Sequence, residues 1–503
     1  MICAHDWLAV ALEPDVRLTP AAMSISLRKG AVATCSSPCT SLRAQVSSTQ
    51  LERPEGHKDR KDIMGNVARR TFLKLSGGAA ASVSGGLAAI LATGRAPAYA
   101  QQTTIHWLRW NDFVPASDQL LRKELLPEAE KALGIKVNFE TVNGNDLQPR
   151  VTASVQSGSG ADLIMVFNNQ SALYTESVID VSDVAEEVSS KEGGLYPYSR
   201  SVTSDGKKFN AMPWAIVGSM NAYRKSWFEE IGITKFPETW EAYYEAGKKL
   251  KAKGHPIGQA VSHSFGDPPT FVYPLLWSFG GKEVEADGKT VAINSKATID
   301  SVRFMTAFFK ETCDEGGLAW DDSSNNRAFL AGTISSTLNG ASIYIESLRK
   351  ADQYKTEKGE PLNKDILHAP LPKGPAGQFG LHTFFSHMLM SYSKNQKVAK
   401  DFLRWLHTPA NYEKWFVSQK GFATPPTMKW ESHKLWGEDP VMEPYKIAGR
   451  LGQAPGYAGP AGKKAAEVLT KYIVVDMYAK AIQGMPAEDV VKWADGELKS
   501  IYS

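Results

Sequence analysis

Two short runs in this chain combine the side chains needed to hold a small polar molecule without breaking it. Trp110-Asn111-Asp112 joins a flat indole face to an amide and a carboxylate, and Asn168-Asn169 adds two further amides. An indole stacks on C–H faces, while amides and carboxylates answer hydroxyls around a rim, which together suit a polyhydroxylated ligand. Turn chemistry explains the Asn pair equally well, and Asp112 serves equally as a cap for a following helix. Signatures of catalysis are missing from the sequence: it holds no His-Glu-x-x-His, no Gly-x-Ser-x-Gly and no Gly-x-x-x-x-Gly-Lys. His382 and His387 flank two Phe residues at a spacing that suits neither a helix face nor a strand. No metal and no cofactor is therefore expected, and no enzyme. Paired carboxylates can lie far apart in a chain, so an exported carbohydrate-active enzyme stays as a lesser alternative.

Strands and helices must carry these residues to one place. Thr104–Leu108 reads as a strand with neighbours on both sides, followed by a helix through Leu120-Leu121 and Leu125-Leu126. Ile135–Glu140 alternates as a half-buried strand, and Leu163–Phe167 is a continuous apolar run that suits a strand covered on both faces. Strand, helix, strand, helix, strand predicts a doubly wound α/β sheet. Trp240, Tyr243, Tyr244 and Leu250 repeat at helical spacing after a cap at Thr239, as do Val398, Phe402, Leu403 and Leu406 before Pro409. On such faces Trp227, Trp240, Trp405 and Trp415 are expected to be core.

At 503 residues the chain predicts two domains. Its composition, 43% hydrophobic and 22% charged, is that of a globular protein. The net charge of +3 arises in the first hundred residues. The remainder has no basic footprint for nucleic acid or anionic lipid. Beyond residue 100 only Cys313 remains, so no internal disulfide is possible there.

Arg69-Arg70-Thr71-Phe72-Leu73-Lys74, a glycine-diluted apolar stretch to Ala92 and Ala98-Tyr99-Ala100 before Gln101 resemble a twin-arginine signal peptide. That resemblance implies a leader over 64–100, cleaved between Ala100 and Gln101, and export to the periplasm by the twin-arginine (Tat) machinery. Met64 stands just ahead of the arginines, so 1–63 is expected to be a disordered upstream extension that is not part of the true product.

Further fragments recur in a familiar order. They are Gly160-Ala161-Asp162-Leu163-Ile164, Phe209 to Trp214 leading to Asn221–Phe228, and Pro237-Glu238-Thr239-Trp240. Leu276–Gly281, Phe329-Leu330-Ala331-Gly332 with Asn339-Gly340, and Pro370–Pro375 with Ala399–Leu403 follow. This series resembles the extracellular solute-binding protein family 1, the maltose-binding type of ABC transporter sugar-binding protein. The resemblance implies a two-lobed α/β periplasmic binding protein fold with a ligand cleft between lobes joined by hinge crossings. The first lobe would comprise 101–215 plus 372–430 and the second 216–371 plus 431–503. It also implies a monomer that binds a small sugar and docks on an ABC importer membrane permease; a polyamine is the alternative ligand. On the same footing Trp214 and His382 with Phe384 would sit near crossings. Tyr273, Trp277, Asn339 and Gly340 would approach the cleft from the second lobe.

Overall fold

The run after Thr103 forms β1 (Thr104–Trp110), and the half-polar run after Ile135 forms its parallel neighbour β2 (Lys136–Val142), with Trp107 opposite Phe139. The fold is given by a computed structural model that describes residues 103–503. Arg69, Arg70, Ala100, Gln101 and the segments 1–63 and 64–100 lie outside the described residues. β3 (Leu163–Phe167) flanks β1 on the other side, parallel, and is buried along its whole length. Five apolar residues in a row can persist as a strand only when both faces are covered.

The doubly wound expectation stops at these strands. β8 (Thr383–Leu389) lies antiparallel to β3, and β4 (Met212–Val217) lies antiparallel to β8, with β9 (Ala423–Thr424) beyond it. The order is β2-β1-β3-β8-β4-β9, a mixed sheet. Its second half differs because β8 returns from another sheet rather than through a helical crossover, which removes the need for parallel pairing. That other sheet is antiparallel, ordered β6 (Ser336–Asn339), β5 (Met220–Arg224), β7 (Ile366–Ala369).

Gly218 and Ser219 alone separate β4 from β5, and 370–382 separate β7 from β8. The chain passes between the two bodies again between Ile447 and Lys463, where the helices Lys463–Thr470, Ile473–Ile482 and Ala487–Tyr502 begin. These pack with the helices Trp240–Ala252 and Lys296–Thr312 around a core holding Trp240, Trp277, Phe308 and Tyr478. A second core surrounds β1, β3 and β8 with Trp107, Trp214, Phe402 and Trp415. Trp430, Leu435, Trp436, Met442 and Tyr445 join that second core, continuous with Phe329, Ile343 and Tyr344.

Trp227, Trp240 and Trp415 are buried, as their helical spacing predicts. Trp405 is only half-buried. Ala399, Phe402, Leu403 and Leu406 occupy the inner face of its helix, Gln396–Leu406, and leave Trp405 on the flank. The cap at Thr239 forms, with Ala242 N–H donating to Thr239 Oγ1 at 3.2 Å. Cys313 is fully buried, and burial pushes its thiol up to about 12, which keeps it unreactive. Among the described residues no helix is long and apolar enough to cross a membrane, and no group of His, Cys, Asp or Glu is arranged to hold a metal ion.

Candidate functional site

The ends of β1 and β3, the turn after β6 and a segment around Phe265 converge on two neighbouring compartments, both lined by Phe265. Ligands of open α/β sheets bind at such strand ends. The wider compartment encloses about 310 Å³. From the first body it is lined by Gly144, Asn145, Gln148, Phe167 and Asn168, and from the second by His263, Phe265, Leu469, Thr470 and Tyr472. Gly144 and Asn145 open the helix Gly144–Ser157, capped by Asn143, whose Oδ1 accepts from Asn145 N–H at 3.0 Å. Gln148 donates through Nε2 to the Tyr174 hydroxyl at 2.6 Å and leaves its buried Oε1 without a partner. His263 stacks on Tyr472 with centroids 4.7 Å apart, and its Nε2 lies 2.6 Å from Asp476 Oδ1.

Phe265 is the aromatic link across the cleft. Its ring lies parallel to that of Phe167 at 4.2 Å and 10°, and edge-on to Trp110 at 5.7 Å. Glycine at 144 is what lets it in, because a Cβ there would come within 2.2 Å of Phe265 Cε1.

The narrower compartment holds about 30 Å³ and is walled by Trp110, Phe113, Phe385 and Phe422 from one side. Asp267, Asp322, Asn339, Gly340 and Ser342 face them from the other. Asp322 caps the helix Asp267–Ser278, accepting from Gly266 N–H at 3.1 Å and Asp267 N–H at 2.8 Å. Asp267 accepts from Asn325 Nδ2 at 2.5 Å. Burial, then the neighbouring Asp322 and Asp321 carboxylates, push Asp267 well above the usual carboxylate range. Burial also raises Asp322. Neither makes an ion pair among the described residues, and no Lys or Arg lines either compartment.

Of the sequence-predicted residues, the fold gathers Trp110, Asn168, Asn339 and Gly340 at the cleft. Asn168 takes a left-handed backbone (φ 48°), and its Oδ1 accepts from Phe384 N–H at 2.9 Å. Asn111 is exposed and lines neither compartment. Asp112 turns inward, accepting from Val114 N–H, Ser117 Oγ and Gln419 Nε2 at 2.9, 2.6 and 2.7 Å, so it holds the start of the next helix. Asn169 is buried and donates to Ala461 O at 3.3 Å. Trp214 is core, packed against His387, His407, Tyr412 and Trp415. Tyr273 and Trp277 lie inside the helical core, where Trp277 Nε1 donates to Glu283 at 2.9 Å. Phe384 packs with Tyr196, Tyr198 and Ile216 on the far face of the sheet. His382 sits at a crossing, its Nδ1 accepting from Ser219 N–H at 3.0 Å. Burial lowers His382 to about 4, so the ring is neutral and that nitrogen is free to accept.

Sequence reasoning missed Phe265, Asp267, Asp322, Phe385 and Phe422. Phe385 was one residue from the chosen Phe384, and successive strand residues face opposite sides. Phe265-Gly266-Asp267-Pro268-Pro269 carried a signal too, since an acid followed by proline marks a helix start.

Residues 115–413 match the model of the bacterial extracellular solute-binding proteins. A diacetylchitobiose binding protein of Streptomyces coelicolor is 26% identical over 206 residues, 40% of this chain and 45% of that relative, so the match spans under half of its length. Maltose-bound MalE3 of T. maritima superposes with TM-score 0.66 at 19% identity, covering 79% of this chain and 99% of that one. A solute-binding protein of Thermotoga lettingae bound to α-D-tagatose gives TM-score 0.68 at 16% identity, covering 80% and 100%. At these identities the two structures establish the shared two-lobed fold.

Proposed function

The chain belongs to the bacterial extracellular solute-binding protein family, and from that membership we propose that it is the substrate-binding component of an ABC importer. It captures a small carbohydrate in the cleft between its lobes and delivers it to a membrane permease. The wider compartment carries this reading. About 310 Å³ lies at the low end for a small-molecule site, which fits one or two sugar rings. Amides of Asn145, Gln148 and Asn168 and the rings of Phe167, Phe265 and Tyr472 line it, the pairing of rim donors with flat faces that a sugar needs. The relatives named for diacetylchitobiose, maltose and tagatose support the same class.

On this reading the protein works as a monomer in the periplasm, exported by the Tat machinery and trimmed after Ala100. The lobes take the family division, 101–215 with 372–430 and 216–371 with 431–503, except that β4 runs on to Val217 and the stretch through Leu435, Trp436, Met442 and Tyr445 packs with the first lobe's core. The hinges lie at Gly218-Ser219 and along 370–382. It binds and does not turn its ligand over. Purified 101–503 should gain thermal stability with a carbohydrate, by about 2.7 kcal/mol at a hundredfold excess over the dissociation constant. The sugar should be recovered unchanged. A panel of mono- and oligosaccharides that gives no shift, or that yields cleaved products, would reject the proposal.

A further inference from the structure

The narrow compartment has a composition that a neutral hydroxyl does not require. Trp110, Phe113, Phe385 and Phe422 wall it on one side, and the Asp267 and Asp322 carboxylates face it from the other. Aromatic faces with nearby carboxylates are the environment in which a cation loses least on leaving water. Asp321, adjacent to the pair, reaches Arg327 at 3.6 Å on the exposed surface, while Asp267 and Asp322 have no ion-pair partner among the described residues. Asp322 has a structural duty, since its oxygens accept the first amides of the helix Asp267–Ser278. Asp267 has no such duty. It receives one side-chain hydrogen bond, from Asn325, and remains half-buried against the cavity. Trp110 is 2% exposed and lines the same space, and its Nε1–H has no partner; that donor cannot pair with an ammonium and is left for a hydroxyl or ring oxygen of the same ligand. A volume of about 30 Å³ is that of one or two water-sized groups, too small for a sugar ring and large enough for a single substituent.

Resting on the carbohydrate reading, we infer that the narrow compartment receives an ammonium substituent of the ligand, placed against the Asp267 carboxylate and the ring of Trp110. The carbohydrate captured is therefore an amino-substituted one. The wider compartment takes the ring and the narrower one its charged group. Neutralisation by the ligand's ammonium ion would relieve the burden that burial and Asp322 place on Asp267.

The test is a set of matched pairs on the wild-type protein by calorimetry at pH 7: glucosamine against glucose and N-acetylglucosamine, and de-N-acetylated chitobiose against diacetylchitobiose and maltose. At least one amine should bind tenfold or more tightly than its neutral counterparts, and the ratio should collapse toward one in Asp267→Asn. Circular dichroism reports whether that variant folds, and the wild-type pairs decide the matter if it does not. No pair favouring the amine overturns the inference; if neutral sugars bind in that case, the carbohydrate reading stands by itself. A ratio unaltered in folded Asp267→Asn also overturns it. Spermidine or putrescine binding with no sugar bound would overturn the carbohydrate reading and with it this assignment of an amino sugar.

Discussion

Trp214 sits on β4 with its indole 4.5 Å from Trp415 and about 5 Å from His387, His407 and Tyr412, centroid to centroid. Its effect on the protein is thus one of packing. Truncation to Ala removes ring contacts that a close-packed interior cannot rebuild, and should cost about 3–5 kcal/mol of stability. Half-buried Trp405 should cost clearly less on the same change. Urea titrations of the two variants check this, and equal losses would contradict the packing described. The two tryptophans show what single residues do and do not disclose. An aromatic near an inferred crossing reads the same whether it faces a ligand or a core, because only the register of the strand decides. Trp110 and Phe385 reach the cleft while Phe384 faces away for that reason alone. Polar residues were harder still: Asp112 and Asp267 are both acids at helix starts, and only the tertiary placement of Gln419, Ser117 and Asn325 separates the structural one from the one facing the cavity.

Elements were more legible. Apolar runs, alternation and helical spacing locate β1, β2, β3 and the helix Trp240–Ala252, because the pattern records which faces are buried, both of them in β3. β1 and β2 each run two residues beyond the expected ends at Leu108 and Glu140. Sheet polarity was not legible, since β8 looks like any other buried strand until the sheet it returns from is known. The helix Asp267–Ser278 is buried over most of its length, so periodicity could not assign its faces. Its last turn holds Trp277 against Glu283, a carboxyl that also accepts from Gly456 N–H at 2.8 Å. Burial outweighs those hydrogen bonds and pushes Glu283 up to about 7. A carboxyl with a raised folded pKa binds its proton more tightly in the native state. Its contribution to stability is therefore complete below the unfolded value near 4.5 and is lost as pH rises toward 7. Relative to Glu283→Gln, the wild type should lose roughly 3 kcal/mol between pH 4.5 and pH 7.5. Tyr273, Tyr478 and Tyr502, which feel this carboxyl, have hydroxyls that stay protonated throughout that range. Denaturant unfolding of both proteins across the range gives the difference directly; parallel pH profiles would show that Glu283 titrates normally.

At the scale of the molecule, two bodies are joined through Gly218-Ser219, the 370–382 segment and the segment between Ile447 and Lys463. The first two of these are tied to each other by the Ser219 N–H bond to neutral His382. Between the bodies, Phe265 spans the cleft, stacked on Phe167 and edge-on to Trp110. Hinge closure is the common motion of such proteins, and a ligand can drive it only by binding the closed form better. The Phe265 contacts exist only while the lobes are together, so they favour closure whether or not a ligand is present. Phe265→Ala should therefore shift the ligand-free protein toward the open form. Apparent affinity should then fall in proportion to the closed fraction that remains. Small-angle scattering should give a larger radius of gyration for ligand-free Phe265→Ala than for ligand-free wild type, and saturating ligand should bring the two values together. Unlike Trp214→Ala, this change removes a half-buried ring at the lobe boundary, so the unfolding midpoint of each lobe should move little. Identical ligand-free radii, or a variant that stays expanded at saturation, would mean that the ring does not couple the lobes.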